Sequence, residues 1–212
     1  AVLDHFDGDR LNIHFNTLRE PPDESWLSLT ERPGYLRLKG RESLYSAHRQ
    51  SLVARRQQAF KVEAETAVEF EPESYQQMAG LIYYYNSKNY YYLRISRDET
   101  WGKSLAILTS DQGVYDEPLA HEVQIEGWRR CYLKLALHFE QARFYYSPDG
   151  EAWSPVGPVL DAGKISDENA EAVRGGVLLD QGFTGAFIGM CVQDLSGRRK
   201  HADFDYFAYR EL

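Results

Sequence analysis

The sequence predicts an all-β protein, an antiparallel β-sandwich, and three observations carry that expectation. Apolar residues recur with a period of two along most of the chain, as half-buried strands require. The alternating runs are separated by short clusters of Gly, Pro, Asn and Asp at the roughly 8–12-residue spacing typical of sandwiches and barrels. The chain holds 15 Tyr, 10 Phe and 4 Trp, 14% of its 212 residues, with 16 Gly and 8 Pro and no long helical pattern. Aromatic residues favour strands, where they pack on a pleated surface.

In chain order, Trp26–Leu29 and Tyr35–Lys39 read as two strands joined by the turn Arg32-Pro33-Gly34. Phe60 to Phe70 is the cleanest alternation. Phe60, Val62, Ala64, Thr66, Val68 and Phe70 share one face, and Lys61, Glu63, Glu65, Ala67 and Glu69 the other. Tyr83-Tyr84-Tyr85 and Tyr90-Tyr91-Tyr92 flank a turn at Asn86-Ser87-Lys88-Asn89, and Asp111-Gln112-Gly113 closes the strand Leu105–Thr109. From Cys131 to Glu140 the pattern repeats, with Cys131, Leu133, Leu135, Leu137 and Phe139 on the inner face. Ser147-Pro148-Asp149-Gly150 separates Phe144-Tyr145-Tyr146 from Trp153. Ser166–Val173, opening Ser-Asp-Glu, reads as a capped helical turn, and Ala186–Val192 as a late strand containing Phe187. About ten strands stacked as two sheets, in a single domain over residues 1–212, are the expected organisation.

Composition narrows the function classes. Lys plus Arg total 24 against 32 Asp plus Glu, a formal charge of −8. Phosphate binding needs a concentrated basic surface, and the basic clusters Arg55-Arg56 and Arg198-Arg199-Lys200 are short, so nucleic acid is not an expected partner. No apolar run reaches the roughly 18 residues of a membrane span, and no signal peptide is expected from Ala1 to Arg10. The first residue is not Met, which suggests processing, trimming or a piece of a longer protein. Cys131 and Cys191 form no CxxC motif. Two buried thiols are the simpler reading, and a disulfide is the alternative in an exported protein.

No nucleophile elbow, phosphate loop or zincin motif occurs, and the six His are scattered without ligand spacing. Asp7, Asp9, Asp203 and Asp205, near the two chain ends, are the candidate ligands for a structural calcium ion, with Asp7 and Asp205 foremost. The simpler reading is two acidic edge strands, since no calcium loop supports the metal. The tyrosine runs offer a candidate sugar-stacking platform. Consecutive strand residues face opposite ways, so Tyr83 and Tyr85 share a face, with Tyr91 in the partner run, and at least one set is expected to project from the sheet. A tyrosine-rich core is the competing reading.

Five longer motifs carry a resemblance over the whole length. They are Trp26-Leu27-Ser28-Leu29-Thr30-Glu31-Arg32-Pro33-Gly34-Tyr35-Leu36-Arg37-Leu38, Gln50-Ser51-Leu52-Val53-Ala54-Arg55-Arg56-Gln57-Gln58, Met78-Ala79-Gly80-Leu81-Ile82-Tyr83-Tyr84-Tyr85-Asn86, Phe183-Thr184-Gly185-Ala186-Phe187-Ile188-Gly189-Met190 and Ala202-Asp203-Phe204-Asp205-Tyr206-Phe207. In that order they resemble the C-terminal concanavalin A-like domain, a jelly-roll sandwich, of family 43 glycoside hydrolases, the β-xylosidase and α-arabinofuranosidase group. In that family an N-terminal five-bladed β-propeller carries the catalytic carboxylates, and no part of this sequence matches it. The resemblance therefore implies an accessory domain with no catalytic residues of its own, part of a xylan-degrading enzyme and inactive alone. It implies the propeller as partner, a xylo-oligosaccharide at a shared pocket, no required cofactor, a homo-oligomer for the full-length enzyme and a cytoplasmic location. It also implies that one sandwich loop sends a Phe into the pocket mouth. The matching position is Phe183, held between Gly182 and Thr184-Gly185. A xylan-binding module using exposed Tyr faces, and a purely structural or oligomerisation domain, are the alternatives.

Overall fold

The computed structural model describes residues 2–174 and 176–212. Its strands in chain order are β1 (Val2–Asp4), β2 (Phe15–Thr17), β3 (Leu27–Ser28), β4 (Leu36–Lys39), β5 (Ser51–Arg56), β6 (Lys61–Glu69), β7 (Gln77–Asn86), β8 (Asn89–Asp98) and β9 (Gly102–Asp111). There follow β10 (Val114–Asp116), β11 (Val123–Gln124), β12 (Arg130–His138), β13 (Gln141–Ser147) and β14 (Ser154–Asp161). A 3₁₀ turn (Ala162–Lys164) and the one-turn helix α1 (Asp167–Ala170) precede β15 (Ala172–Arg174), β16 (Val177–Asp180), β17 (Phe187–Asp194) and β18 (His201–Glu211).

Two antiparallel sheets result. The first has the order β14-β13-β12-β6-β18-β4-β3, with β1 also on β18. The second has the order β10-β9-β8-β7-β17-β5-β2, with β11 also on β9. The strands β15 and β16 form a separate hairpin. The alternation read from β6 and β12 holds over their lengths: Val62, Ala64 and Val68 face inward, as do Cys131, Leu133, Leu135 and Leu137. Across the core they meet Leu81, Tyr83 and Tyr85 of β7 and Tyr91, Leu93 and Ile95 of β8. Thr66 shares the inward face of β6, and its hydroxyl donates to the Tyr206 carbonyl at 2.7 Å. A buried hydroxyl without a partner would cost free energy.

That carbonyl lies at a β-bulge. The pairing of β18 with β6 shifts register between Phe204 and Tyr206, leaving Asp205 as the extra residue. Ala202 and Phe204 point inward before it, Phe207 and Tyr209 after it.

The two sheets differ on their outer faces. The second sheet carries another apolar cluster there: Leu52, Ala54, Ile82, Tyr84, Tyr90, Tyr92, Leu108 and Cys191, packed with Leu44 from the β4–β5 connection. Its central strands are therefore buried on both sides, which is why β7 and β8 read as continuous aromatic and aliphatic runs rather than alternations. The first sheet's outer face is ionic. Asp203 accepts from Arg37 Nε at 2.7 Å and Arg32 at 2.9 Å, and Glu69 from Arg32 at 2.8 Å and Arg130 at 2.9 Å. Burial pushes the Asp203 carboxyl upward, but the Arg37 and Arg32 hydrogen bonds outweigh it and hold the group below the usual range.

Three of the expected turns have the conformation their residues favour. Gly34, Gly113 and Gly150 sit at φ values of 78°, 81° and 80°. The capped helical turn also forms, with the Ser166 hydroxyl accepting the Asn169 N–H at 3.2 Å, but only Asp167–Ala170 is helical. Both cysteines are free. Cys131 faces the inter-sheet core and Cys191 the outer cluster, on opposite sides of the second sheet, so the disulfide alternative is corrected. Burial pushes both thiols up to about 12.

Candidate functional site

The tyrosines expected as a stacking platform are core residues. Tyr83, Tyr85 and Tyr91 lie between the sheets, and Tyr84, Tyr90 and Tyr92 are buried in the outer cluster, so neither set projects into solvent. The hydroxyls of Tyr83, Tyr91 and Tyr92 reach Gln57 Oε1 at 2.8 Å, the Asp161 carbonyl at 2.8 Å and the Cys191 carbonyl at 2.9 Å. Rings packed in this way have no free face for a sugar, which corrects the stacking expectation for Tyr83, Tyr85 and Tyr91.

The four acids near the chain ends are not gathered into one cluster. Asp203 is engaged by Arg37 and Arg32, and Asp205 by Arg130 at 2.8 Å, while Asp7 and Asp9 are exposed. Among the described residues no three His, Cys, Asp or Glu side chains are placed to hold a metal ion. Guanidinium groups occupy both carboxylate oxygens of Asp203 and one of Asp205.

Phe183 stands out by contrast. Its ring is 77% exposed at the tip of the β16–β17 loop, while Gly182 before it is buried. A Cβ on Gly182 would lie 2.3 Å from the Asp167 carbonyl oxygen, so the loop passes against α1 at a distance only glycine permits. After the tip, the Thr184 N–H donates to the Tyr85 hydroxyl at 3.3 Å and the Gly185 N–H to Asp167 Oδ1 at 3.0 Å. The Tyr85 hydroxyl itself donates to the same Asp167 oxygen. Burial, then this carboxylate, pushes the Tyr85 hydroxyl upward, which keeps it protonated and able to donate. The loop rejoins the sheet through the Gln57 N–H, which donates to the Ala186 carbonyl at 2.9 Å. Phe187, within the strand expected from the sequence, is half-buried on the outer face, with the Arg56 guanidinium 4.7 Å from its ring centroid.

The same end of the sandwich carries two more exposed phenylalanines. A groove of about 620 Å³ runs between the Phe183 loop and α1 on one side and the connections 57–60 and 139–140 on the other. On its rim Phe60 and Phe139 stack with ring centroids 6.4 Å apart and planes at 19°. The alternation assigns both to the core, yet they are 72% and 55% exposed. The physical reason is that each lies just beyond its strand. Phe139 occupies the two-residue turn joining β12 to β13, at a left-handed φ of 53°, and its N–H donates to the Phe60 carbonyl at 2.8 Å. That conformation is unfavourable for a bulky side chain. A turn of two residues between two alternating runs was the available sequence signal for this departure. The contact of Asp167 with Tyr85 had no sequence signal, because 82 residues separate them.

Comparison with known proteins agrees on what kind of domain this is. A family model described as the β-xylosidase C-terminal concanavalin A-like domain matches residues 3–210. The chain is 41% identical over 210 residues to a β-xylosidase of Bacillus subtilis, covering 99% of this chain and 38% of that protein. It is 43% identical to a putative β-xylosidase of Escherichia coli, covering 99% and 38%. Among solved structures, a xylan β-1,4-xylosidase from Bacillus halodurans superposes with a TM-score of 0.92 at 49% identity, over 99% of this chain and 39% of that one. The chain thus spans about 38% of the length of these two curated relatives. With two antiparallel sheets around one core and a family model matching nearly end to end, the chain belongs to the C-terminal concanavalin A-like domains of the family 43 β-xylosidases.

Proposed function

We propose that this sandwich is an accessory domain of a β-xylosidase-like enzyme. It packs end-on against an N-terminal catalytic β-propeller and presents Phe183 to the mouth of that domain's sugar pocket. The reading is supported above all by one observation: a large apolar side chain is held 77% exposed on a loop whose flanking backbone is tied down on both sides. An exposed apolar group has no stabilising role within its own domain, and a cluster of them marks a surface that another body covers. The Phe60–Phe139 stack extends this apolar end, and the groove between gives it relief.

In the joined protein the propeller supplies the acid and base, and the sandwich supplies no proton transfer. Phe183 forms an apolar wall beside the bound xylo-oligosaccharide, excludes water from the scissile bond and narrows the pocket toward terminal units. An apolar pocket contact of this size is worth on the order of tenfold in kcat/KM. Phe183→Ala in the protein carrying both domains is therefore expected to lower kcat/KM on xylobiose about tenfold with an unchanged melting temperature. Unaltered kinetics would overturn the proposal. Titration of the sandwich alone with xylo-oligosaccharides is expected to show no saturable binding, whereas clear binding would favour a carbohydrate-binding module.

A further inference from the structure

We infer that Asp167 and Tyr85 are positioning residues for Phe183, a role that rests on the pocket-closing function proposed for that side chain. Asp167 is the first residue of α1, oriented by a turn that Ser166 caps. A single carboxylate oxygen, Oδ1, accepts from the Gly185 N–H at 3.0 Å and from the Tyr85 hydroxyl. The same hydroxyl accepts the Thr184 N–H at 3.3 Å. Both backbone amides following Phe183 therefore end on one acid–phenol pair. The residue before it, Gly182, is pressed against the Asp167 backbone.

The pair is rigid at both ends. The Tyr85 ring is buried in the inter-sheet core at the end of β7, where the pairing with β8 shifts register between Tyr84 and Asn86. Asp167 sits where the 3₁₀ turn hands over to α1, against the same groove that Gly185 lines. Four backbone or side-chain constraints thus converge within a few residues of a tip that makes no core contact of its own. Loops that only need to connect two strands do not require this. Its physical effect is preorganisation: the conformational entropy of placing the Phe183 ring is lost on folding, not on binding substrate. Displacing a pocket wall by about 1 Å can cost a large factor in rate, so removing the pair should reproduce much of the effect of removing the ring.

The test is a double-mutant cycle in the protein carrying both domains, with xylobiose as substrate and melting temperature as a fold check. Asp167→Ala and Tyr85→Phe are each expected to lower kcat/KM about three- to tenfold, mainly by raising KM, consistent with loss of a contact that holds the sugar. Asp167→Asn, whose side-chain oxygen can accept the same two donors, should recover most of that loss. In a Phe183→Ala background neither Asp167→Ala nor Tyr85→Phe should lower kcat/KM further, because both act through the missing ring. Should Asp167→Ala fail to fold, Tyr85→Phe keeps the ring in the core and carries the cycle. If Phe183→Ala lowers kcat/KM while Asp167→Ala and Tyr85→Phe leave it unchanged, this inference falls and the pocket-closing role stands. Full, multiplicative losses in the Phe183→Ala background would also overturn it, since the pair would then act by another route. If Phe183→Ala itself has no effect, the pocket-closing role fails first and the positioning role with it.

Discussion

The tyrosines of β7 and β8 and the phenylalanines at the grooved end invert the usual order of burial. Phe is ordinarily the more buried of the two types and Tyr the intermediate one. Here Tyr83, Tyr84, Tyr85, Tyr90, Tyr91 and Tyr92 are all buried, while Phe60, Phe139 and Phe183 are 72%, 55% and 77% exposed. The tyrosines can be buried because hydroxyls such as those of Tyr83, Tyr91 and Tyr92 find acceptors at the edges of their layers. The phenylalanines have no polar tip that could justify a position in water. An apolar ring at a strand end, on a glycine-flanked loop or at a left-handed turn position is displayed by the backbone, and the reason for the display lies outside the domain.

The comparison makes its strongest demand at high pH. Burial pushes the Tyr84 and Tyr90 hydroxyls up to about 12. A raised value means that the folded state favours the protonated phenol. The stabilisation is complete below the unfolded value near 10 and is lost as pH rises through the folded value. Each such group removes about 2–3 kcal/mol over that window. Several together exceed much of a typical domain stability of about 5–15 kcal/mol. Cooperative unfolding between pH 10 and 12 is expected, with tyrosinate absorbance appearing in the same transition. Tyrosinate appearing gradually while circular dichroism remains native would contradict the burial assigned to this set.

Next in size is truncation within the buried set. Tyr92→Ala should destabilise the sandwich by ~3–5 kcal/mol, read as a lower denaturant midpoint. Tyr92→Phe, which removes only the donor to Cys191, should cost about 1 kcal/mol. The exposed set should respond in the opposite sense. Phe183→Ala is expected to change folding stability by less than about 0.5 kcal/mol, although it lowers catalysis in the joined protein. The smallest effect is also the sharpest discriminator. Phe139→Gly relieves a left-handed conformation that costs roughly 1 kcal/mol for a side chain, set against lost stacking on an already wet ring. The variant should be as stable as the parent or slightly more stable by chemical denaturation. Marked destabilisation would show that the Phe60–Phe139 pair belongs to the domain's own core.

Much of the architecture was legible before any coordinates. Val62 to Val68 and Cys131 to Leu137 announce half-buried strands, because a sheet wet on one side imposes alternation on its residues. Gly34, Gly113 and Gly150 mark reversals, because few residues tolerate their φ values. The role of the tyrosine runs was not legible. A strand buried on both faces and one displaying an aromatic face have the same local composition. Only the second apolar layer, formed when Leu44 packs beside Tyr84, Tyr90 and Tyr92, separates the two. The loop motif around Phe183 was visible in the sequence, whereas its anchor at Asp167 and Tyr85 depends on a contact across 82 residues. For the acids near the chain ends, the simpler reading of acidic edge strands was available from the sequence, but their partners, the arginines of β4 and β12 across the sheet, were not.

The bulge at Asp205 has a consequence for how β18 tolerates change in chain length. The strand contains two reading phases of the same alternation: Ala202 and Phe204 face inward in one, Phe207 and Tyr209 in the other, with Asp205 as the comma between them. Pairing that residue as an ordinary member of the ladder, with no bulge, would force a choice of phase. Keeping the first would turn Phe207 and Tyr209 out to water, and keeping the second would expose Phe204 and drive Asp203, with its paired arginines, toward the core. Deleting residue 205 would instead leave one unbroken alternation with Phe204, Phe207 and Tyr209 still inward, at the loss of the partner of Arg130, so the bulge that sets the extra residue aside is as much a part of the core as the rings it lets β18 bury.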